Sequence, residues 1–223
     1  MLRTQFEEEL LNLHNQFYEM GMMVSNAVHQ SVRAYINHDK VIAREVIEHD
    51  VEINNMEVKL EKKSFEMIAL QQPVTTDLRM IITVMKASSD LERMADHAVS
   101  IAKSTIRVKG ATRIPEIEKE ISDMSDYVKK MADNVLIAYV KTDQKDAKLI
   151  AKMDNRVNEY FDNIYNQTIE TMKANPETVI SGTDYLHVAQ YLERIGDYVT
   201  NICEWIVYLA TGKITELNSN RDE

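Results

Sequence analysis

Five glycines and three prolines in 223 residues leave little material for tight turns, so a fold of many short strands is excluded. The single cysteine, Cys203, rules out an internal disulfide and favours a reducing compartment. No apolar run approaches the roughly 18 residues of a membrane-spanning helix, and the best, Trp205 to Ala210, is far shorter. Membrane insertion is therefore not expected. Positive charge is outnumbered. With 26 Lys and Arg against 36 Asp and Glu, the net charge of −10 argues against nucleic acid as the main partner. The stretch from Met1 to Leu13, with Glu7, Glu8 and Glu9, does not read as a secretory leader. A soluble, cytoplasmic protein is the expectation. The remaining composition, 44% hydrophobic and 28% charged, is that of a globular protein long enough to build a core.

What the chain does have is repetition. Leu91-Glu92-Arg93-Met94-Ala95-Asp96 returns as Leu192-Glu193-Arg194-Ile195-Gly196-Asp197, an offset of 101 residues. Asp39, Ala43, Asp50 and Asn54 return as Asp143, Ala147, Asp154 and Asn158 at an offset of 104. The seam Leu10, Leu13, Phe17, Met20, Val24, Ala27 returns as Ile121, Met124, Val128, Met131, Val135, Ala138 at 111. The first change of offset is one heptad, and the second falls near Pro73 and Pro176, where a loop absorbs it. Both preserve helix faces, as a duplicated helical unit requires.

Apolar residues at alternating four- and three-residue steps predict six helices. They run from about Thr4 to Asn37, Lys40 to Leu70, Thr76 to Val108, Pro115 to Lys141, Gln144 to Lys173 and Glu177 to Thr211. Asp39 reads as an N-cap, Gln72-Pro73 and Pro176 as breaks, and Gly212 as a terminator. Lys109-Gly110-Ala111 marks the joint between halves. The expected fold is all-α: two tandem three-helix bundles, residues 1–110 and 111–217, each with a local core, followed by a polar tail at 218–223.

Helical spacing puts acids on faces that otherwise pack. In the third helix Glu92 falls within the arc of Ile81, Met85 and Val99, with Asp96 one turn on at its edge; Glu193 and Asp197 repeat this in the sixth. In the second helix Asp50 lies among Ala43, Val46, Ile47 and Ile53, with Asn54 one turn further; Asp154 and Asn158 match them in the fifth. An unpaired carboxylate on a packing face must be neutralised or solvated. Facing helices would offer Asp50, Asn54, Glu92 and Asp96 in one half and Asp154, Asn158, Glu193 and Asp197 in the other. These hard oxygen donors suit magnesium, manganese or iron and also accommodate zinc. A solvated groove, or an Arg-paired polar layer that fixes register, is the competing explanation. Arg79, Lys86 and Arg93 read as a solvated face, His97 as a surface residue, and Cys203 as a buried one. The methionines read as core filler.

The run from Gln72-Pro73-Val74 through Asp77-Leu78-Arg79 and then Asp90 to His97 closely resembles the PhoU family, regulators of phosphate uptake and signalling. Tyr191 to Tyr198 and Asn201-Ile202-Cys203-Glu204 resemble that family's second repeat, and the likeness spans nearly the whole chain. The resemblance implies two similar three-helix bundles, a homodimer, and multinuclear metal clusters on E(D)xxxD motifs. Those motifs map onto Glu92/Asp96 and Glu193/Asp197, with Asp50/Asn54 and Asp154/Asn158 as partners. Asn closes both partner motifs where the full acidic pattern has Asp, which removes a charge and keeps a carbonyl oxygen. By the same resemblance the chain is a non-enzymatic cytoplasmic regulator. It would couple a phosphate ABC transporter, through its cytoplasmic ATPase, or a phosphate sensor histidine kinase to phosphate supply. Two other functions fit the residues: a metal-free acidic helical adaptor, and a ferritin-like di-iron enzyme. The latter wants Glu-x-x-His, whereas Ala95 and Gly196 stand three residues after Glu92 and Glu193.

Overall fold

The computed structural model of the chain describes residues 2–107 and 112–217. Six helices run α1 (Leu2–Asn37), α2 (Lys40–Gln71), α3 (Thr75–Arg107), α4 (Pro115–Lys141), α5 (Gln144–Ala174) and α6 (Val179–Thr211). The joint expected at Lys109-Gly110-Ala111 and the tail expected from Asn218 lie outside the described residues.

The two α–α turns are made alike without glycine. His38 and Thr142 adopt left-handed backbone, φ 54° and 51°. The amides that follow, of Asp39 and Asp143, reach back to the carbonyls of Ala34 and Ala138 at 2.8 and 2.9 Å. This is a Schellman closure of one helix. The same aspartates then cap the next: Asp39 Oδ1 accepts from the amides of Val41 and Ile42, and Asp143 Oδ1 from those of Lys145 and Asp146. The second connection differs between halves. Gln72 ends α2 in left-handed backbone before Pro73, whereas Asn175 caps a 3₁₀ turn at Pro176–Thr178 that delays α6 to Val179. Gly212 closes α6 at φ 75°, and the Arg79 guanidinium lies over it where a Cβ would collide.

The predicted seam is the core. Leu13, Phe17, Met20 and Val24 of α1 and Ile121, Met124, Val128, Met131 and Val135 of α4 are essentially inaccessible. The halves do not keep separate cores, however; their buried side chains form one continuous cluster. Each half is a three-helix unit, and the units are joined by two antiparallel contacts between equivalent helices. On α1 and α4, His14 stacks on Tyr139 at 4.5 Å, Ser25 donates to Asp133 at 2.5 Å, and Gly21 leaves room for Leu136.

On α3 and α6 the contact includes a line of polar groups. Thr83, Asp90, His97 and Ser104, each seven residues after the last, face α6. The Thr83 hydroxyl donates to the Trp205 carbonyl, and the Asn201 amide donates to Asp90 at 3.2 Å. Arg107 links Ser104 to Asp184 of α6. His97 is not a surface residue. It is half-buried and stacked against Tyr191 and Tyr198 at 5.5 and 5.7 Å. Nor is the basic stripe simply solvated: Arg79 covers the end of α6 and Arg93 sits 5.9 Å from the Tyr198 ring, while Lys86 is exposed.

A buried carboxylate ties the helix ends near the joint. Glu118, 5% exposed, accepts from Arg113 and from the Tyr185 hydroxyl at 2.8 Å. Arg113 also donates to the Ile36 carbonyl, and Tyr185 accepts from the Ile114 amide. Burial alone would raise the Glu118 carboxyl, but the bonds from Arg113 and Tyr185 outweigh it and hold it below its ordinary value of 4.5. A depressed carboxyl stabilises the fold above the unfolded value and loses that contribution as pH falls through the folded one. Glu118→Gln is therefore expected to destabilise by about 1–3 kcal/mol at neutral pH. Thermal melts should show the gap to wild type closing below about pH 4.

Candidate functional site

On the first half, α2 and α3 bring the expected acids to one face. The Asn54 amide donates to Asp50 Oδ2 at 3.1 Å, which orients both side chains. Their other oxygens, Asp50 Oδ1 and Asn54 Oδ1, are buried and accept no hydrogen bond. Burial, then Asp96, pushes the Asp50 carboxyl up, against the Asn54 bond and Lys103. Burial also raises Glu92, followed by repulsion from Asp96, Glu57 and Asp50 and opposed by Arg93. Asp50, Glu92 and Asp96 therefore act on one another across the helix pair, with Asp96 the most exposed of them.

Glu57 belongs to this face and was not singled out in the sequence. Its signal was available: it lies seven residues after Asp50, two turns along the same side of α2.

The second half is built on the same plan with different neutralisation. Asp154 is completely buried, and the Asn158 amide donates to its Oδ2 at 3.3 Å. Gly196 makes this possible: a Cβ there would sit 2.8 Å from Asp154 Oδ1 and 3.2 Å from Val157 Cγ1. The first copy has Ala95 at that position, and its partner Asp50 is only half-buried. Glu193 and Asp197, 17% and 18% exposed at the side chain, flank Arg194, whose guanidinium lies 3.7 Å from one and 3.2 Å from the other. Cys203 is buried as expected. Burial, then Glu204, raises its thiol far above the range where a thiolate ligand forms.

Hard oxygen donors thus gather in both halves, but pairwise rather than as a closed shell. Among the described residues, no three His, Cys, Asp or Glu side chains converge as they stand to hold one ion. Nothing here has the Glu-x-x-His arrangement of a di-iron centre.

Both repeats match the family described as PhoU domain, over residues 17–105 and 121–206. The chain belongs to the PhoU family. A phosphate-specific transport system accessory protein PhoU homolog of Clostridium acetobutylicum is 38% identical over 98% of this chain and 100% of its own length. The homolog of Streptococcus pneumoniae is 34% identical over 97% of this chain and 100% of its own. Crystal structures of PhoU share the fold. That of S. pneumoniae superposes with a TM-score of 0.88 at 32% identity, covering 95% of this chain and all of that one. That of Pseudomonas aeruginosa gives 0.89 at 30% identity, covering 93% and all of that chain. The all-α architecture expected from periodicity is thus the PhoU architecture.

The difference between Ala95 and Gly196 is directly measurable. Gly196→Ala should destabilise by about 1–3 kcal/mol, because Asp154 is short, enclosed and unable to retreat. Ala95→Gly should cost about 1 kcal/mol of helix propensity and about 0.8 kcal/mol more for its buried methyl. Denaturant melts should show both variants destabilised; a gain for Gly196→Ala, which helix propensity alone would give, would mean that Gly196 makes no room.

Proposed function

We propose that this chain is a regulatory accessory protein of a phosphate-specific transport system, restraining uptake or phosphate-responsive signalling when phosphate is plentiful. The observation that carries this is likeness over almost the full length, both repeats included, to proteins named for that role. Its partners would be the transporter's cytoplasmic ATPase, a phosphate sensor histidine kinase, or both, met as a homodimer in the cytoplasm. Among the described residues no helix is long and apolar enough to cross a membrane, which agrees with a partner that meets its transporter from outside the bilayer. No catalytic role is assigned.

Metal ions belong to the same proposal. Asp50, Asn54, Glu92 and Asp96 would hold one group of ions, and Asp154, Asn158, Glu193 and Asp197 another. The donor chemistry fits iron, manganese, magnesium or zinc. The two buried oxygens of Asp50 and Asn54 that accept no hydrogen bond, and the mutual repulsion that raises Asp50 and Glu92, are what a cation would relieve. When bound, such an ion supplies positive charge that holds α2 against α3. Glu92 and Asp96 must turn inward to meet it, since the side chains do not converge at present. In the second half Arg194 already lies beside both acids, so the first half should hold metal more firmly.

One strain tests both layers. Deleting the gene should leave phosphate uptake or starvation reporters unrestrained, and wild-type copy should restore restraint. Glu92→Gln/Glu193→Gln, nearly isosteric, should remove most metal from protein purified without chelator or affinity tag, as read by elemental analysis. It should also abolish the rise in melting temperature on adding metal. Normal uptake and reporters in the deletion strain would refute the regulatory role. Equal metal content in wild type and double variant would refute the clusters alone.

A further inference from the structure

We propose that the groove between α2, α3 and α6, with the apolar ridge of α2 beside it, docks a basic amphipathic helix of a partner protein. The groove has a volume of about 550 Å³. Glu57 and Glu61 stand one turn apart on its α2 wall, and Glu204 faces them from α6 beside half-buried Trp205. Asp90 lies deeper, 7% exposed and held by the Asn201 amide. Lys86 and Arg93 line the α3 wall, where Arg93 is already over the Tyr198 ring. Four carboxylates against two cations leave the groove negative. Burial, then Glu61, raises Glu57; burial, then Glu216 and Asp90, raises Glu204 against a bond from the Leu217 amide.

Phe65 lines the groove, and Val58 and Val51 lie one and two heptads before it on the same side of α2, the three being 55%, 59% and 61% exposed. That period is the one by which a helix packs along another. The second repeat has Asn155 and Asp162 in place of Val51 and Val58, and Phe161 and Tyr165 in place of Glu57 and Glu61. Of the ridge only Phe65 keeps an apolar counterpart, Ile169, so the full ridge and the Glu57/Glu61 pair of α2 do not follow from the duplicated pattern.

The combination selects the occupant. The ridge asks for apolar residues at heptad spacing, and the acids ask for Lys or Arg on the flank, where a guanidinium can also cover Trp205. A small cation would satisfy the carboxylates and leave the ridge bare. A second copy docked ridge to ridge would set the Glu57/Glu61 flank against itself. The inference deepens the accessory-protein reading, which needs a docking face, but its test uses no phosphate physiology and can fail alone.

The probe is a fluorescein-labelled synthetic helix of about 18 residues, with Leu at heptad positions a and d and Arg at e and g. A matched peptide carries Glu at e and g. Anisotropy titrations of the full chain at physiological salt should show saturable binding of the Arg peptide alone. Glu61→Gln/Glu204→Gln and, separately, Val58→Ser/Phe65→Ser should each weaken it about tenfold or more. Asp162→Asn/Glu170→Gln on α5, which removes the same charge elsewhere, should change it less than about twofold. All these positions but Glu204 are exposed, and circular dichroism verifies that each variant folds. Absence of saturable binding, or equal loss in the α5 variant, overturns the proposal. Displacement of the peptide by equimolar spermidine assigns the groove to a small cation and also overturns it. Dimers that dissociate on Val58→Ser/Phe65→Ser assign the ridge to a second copy, with the same consequence.

Discussion

The antiparallel contact between α3 and α6 is the constraint on which the rest of this molecule depends. Each of these helices is buried on two sides: one face completes the three-helix unit of its own half, and the other meets its counterpart. Their second faces set a line of polar groups among buried apolar ones, and the polar groups specify how the two helices align. Thr83, Asp90, His97 and Ser104 give α3 a specific partner at each turn of the heptad, so the register of the halves is fixed by hydrogen bonds and stacking. Each such bond contributes only about 0.5–1.5 kcal/mol, but leaving one unmade in this interior costs more. His97 and Tyr198 occupy the same position of the repeated motif and stack on each other, which places them near the pseudo-two-fold relation between the copies.

The acids follow from that arrangement. Because α3 and α6 are held from behind, their Glu-x-x-x-Asp faces can lean towards α2 and α5 without the bundle opening. The duplicated pattern has then diverged in how its charge is tolerated. Gly196 lets Asp154 sink completely, and Arg194 lies beside the two acids of its own helix. The first copy keeps Ala95, leaves Asp50 half-buried, and adds Glu57. One half therefore carries the more strained acid face, and the same half carries the exposed ridge of α2.

Much of this was legible in the sequence because it is local. The α1 and α4 seams, the Asp39 and Asp143 caps and the stop at Gly212 are all properties of one helix or one turn. So was the placing of Asp50 and Asn54, and of Asp154 and Asn158, one turn apart on one helix face, though not the hydrogen bond within each pair. The position of His97 was not, because a helical wheel shows one buried face and cannot show a second one supplied by another half of the chain. The polar heptad Thr83, Asp90, His97, Ser104 is present in the sequence, but only the fold shows that α6 lies on it. The continuous core was hidden for the same reason. The 3₁₀ turn at Pro176–Thr178 escaped because Glu177 and Thr178 fit a helix start as well as a tighter turn.

The seam between α3 and α6 makes the two repeats one cooperative unit. Trp205 is the sole tryptophan and lies on the seam, so its fluorescence reports that contact, while far-UV ellipticity reports all six helices. Equilibrium unfolding in denaturant should give the same midpoint and slope by both probes, since neither half can lose its partner and keep its core. A fluorescence transition completed while about half of the ellipticity remains would show the repeats unfolding separately, and would contradict it.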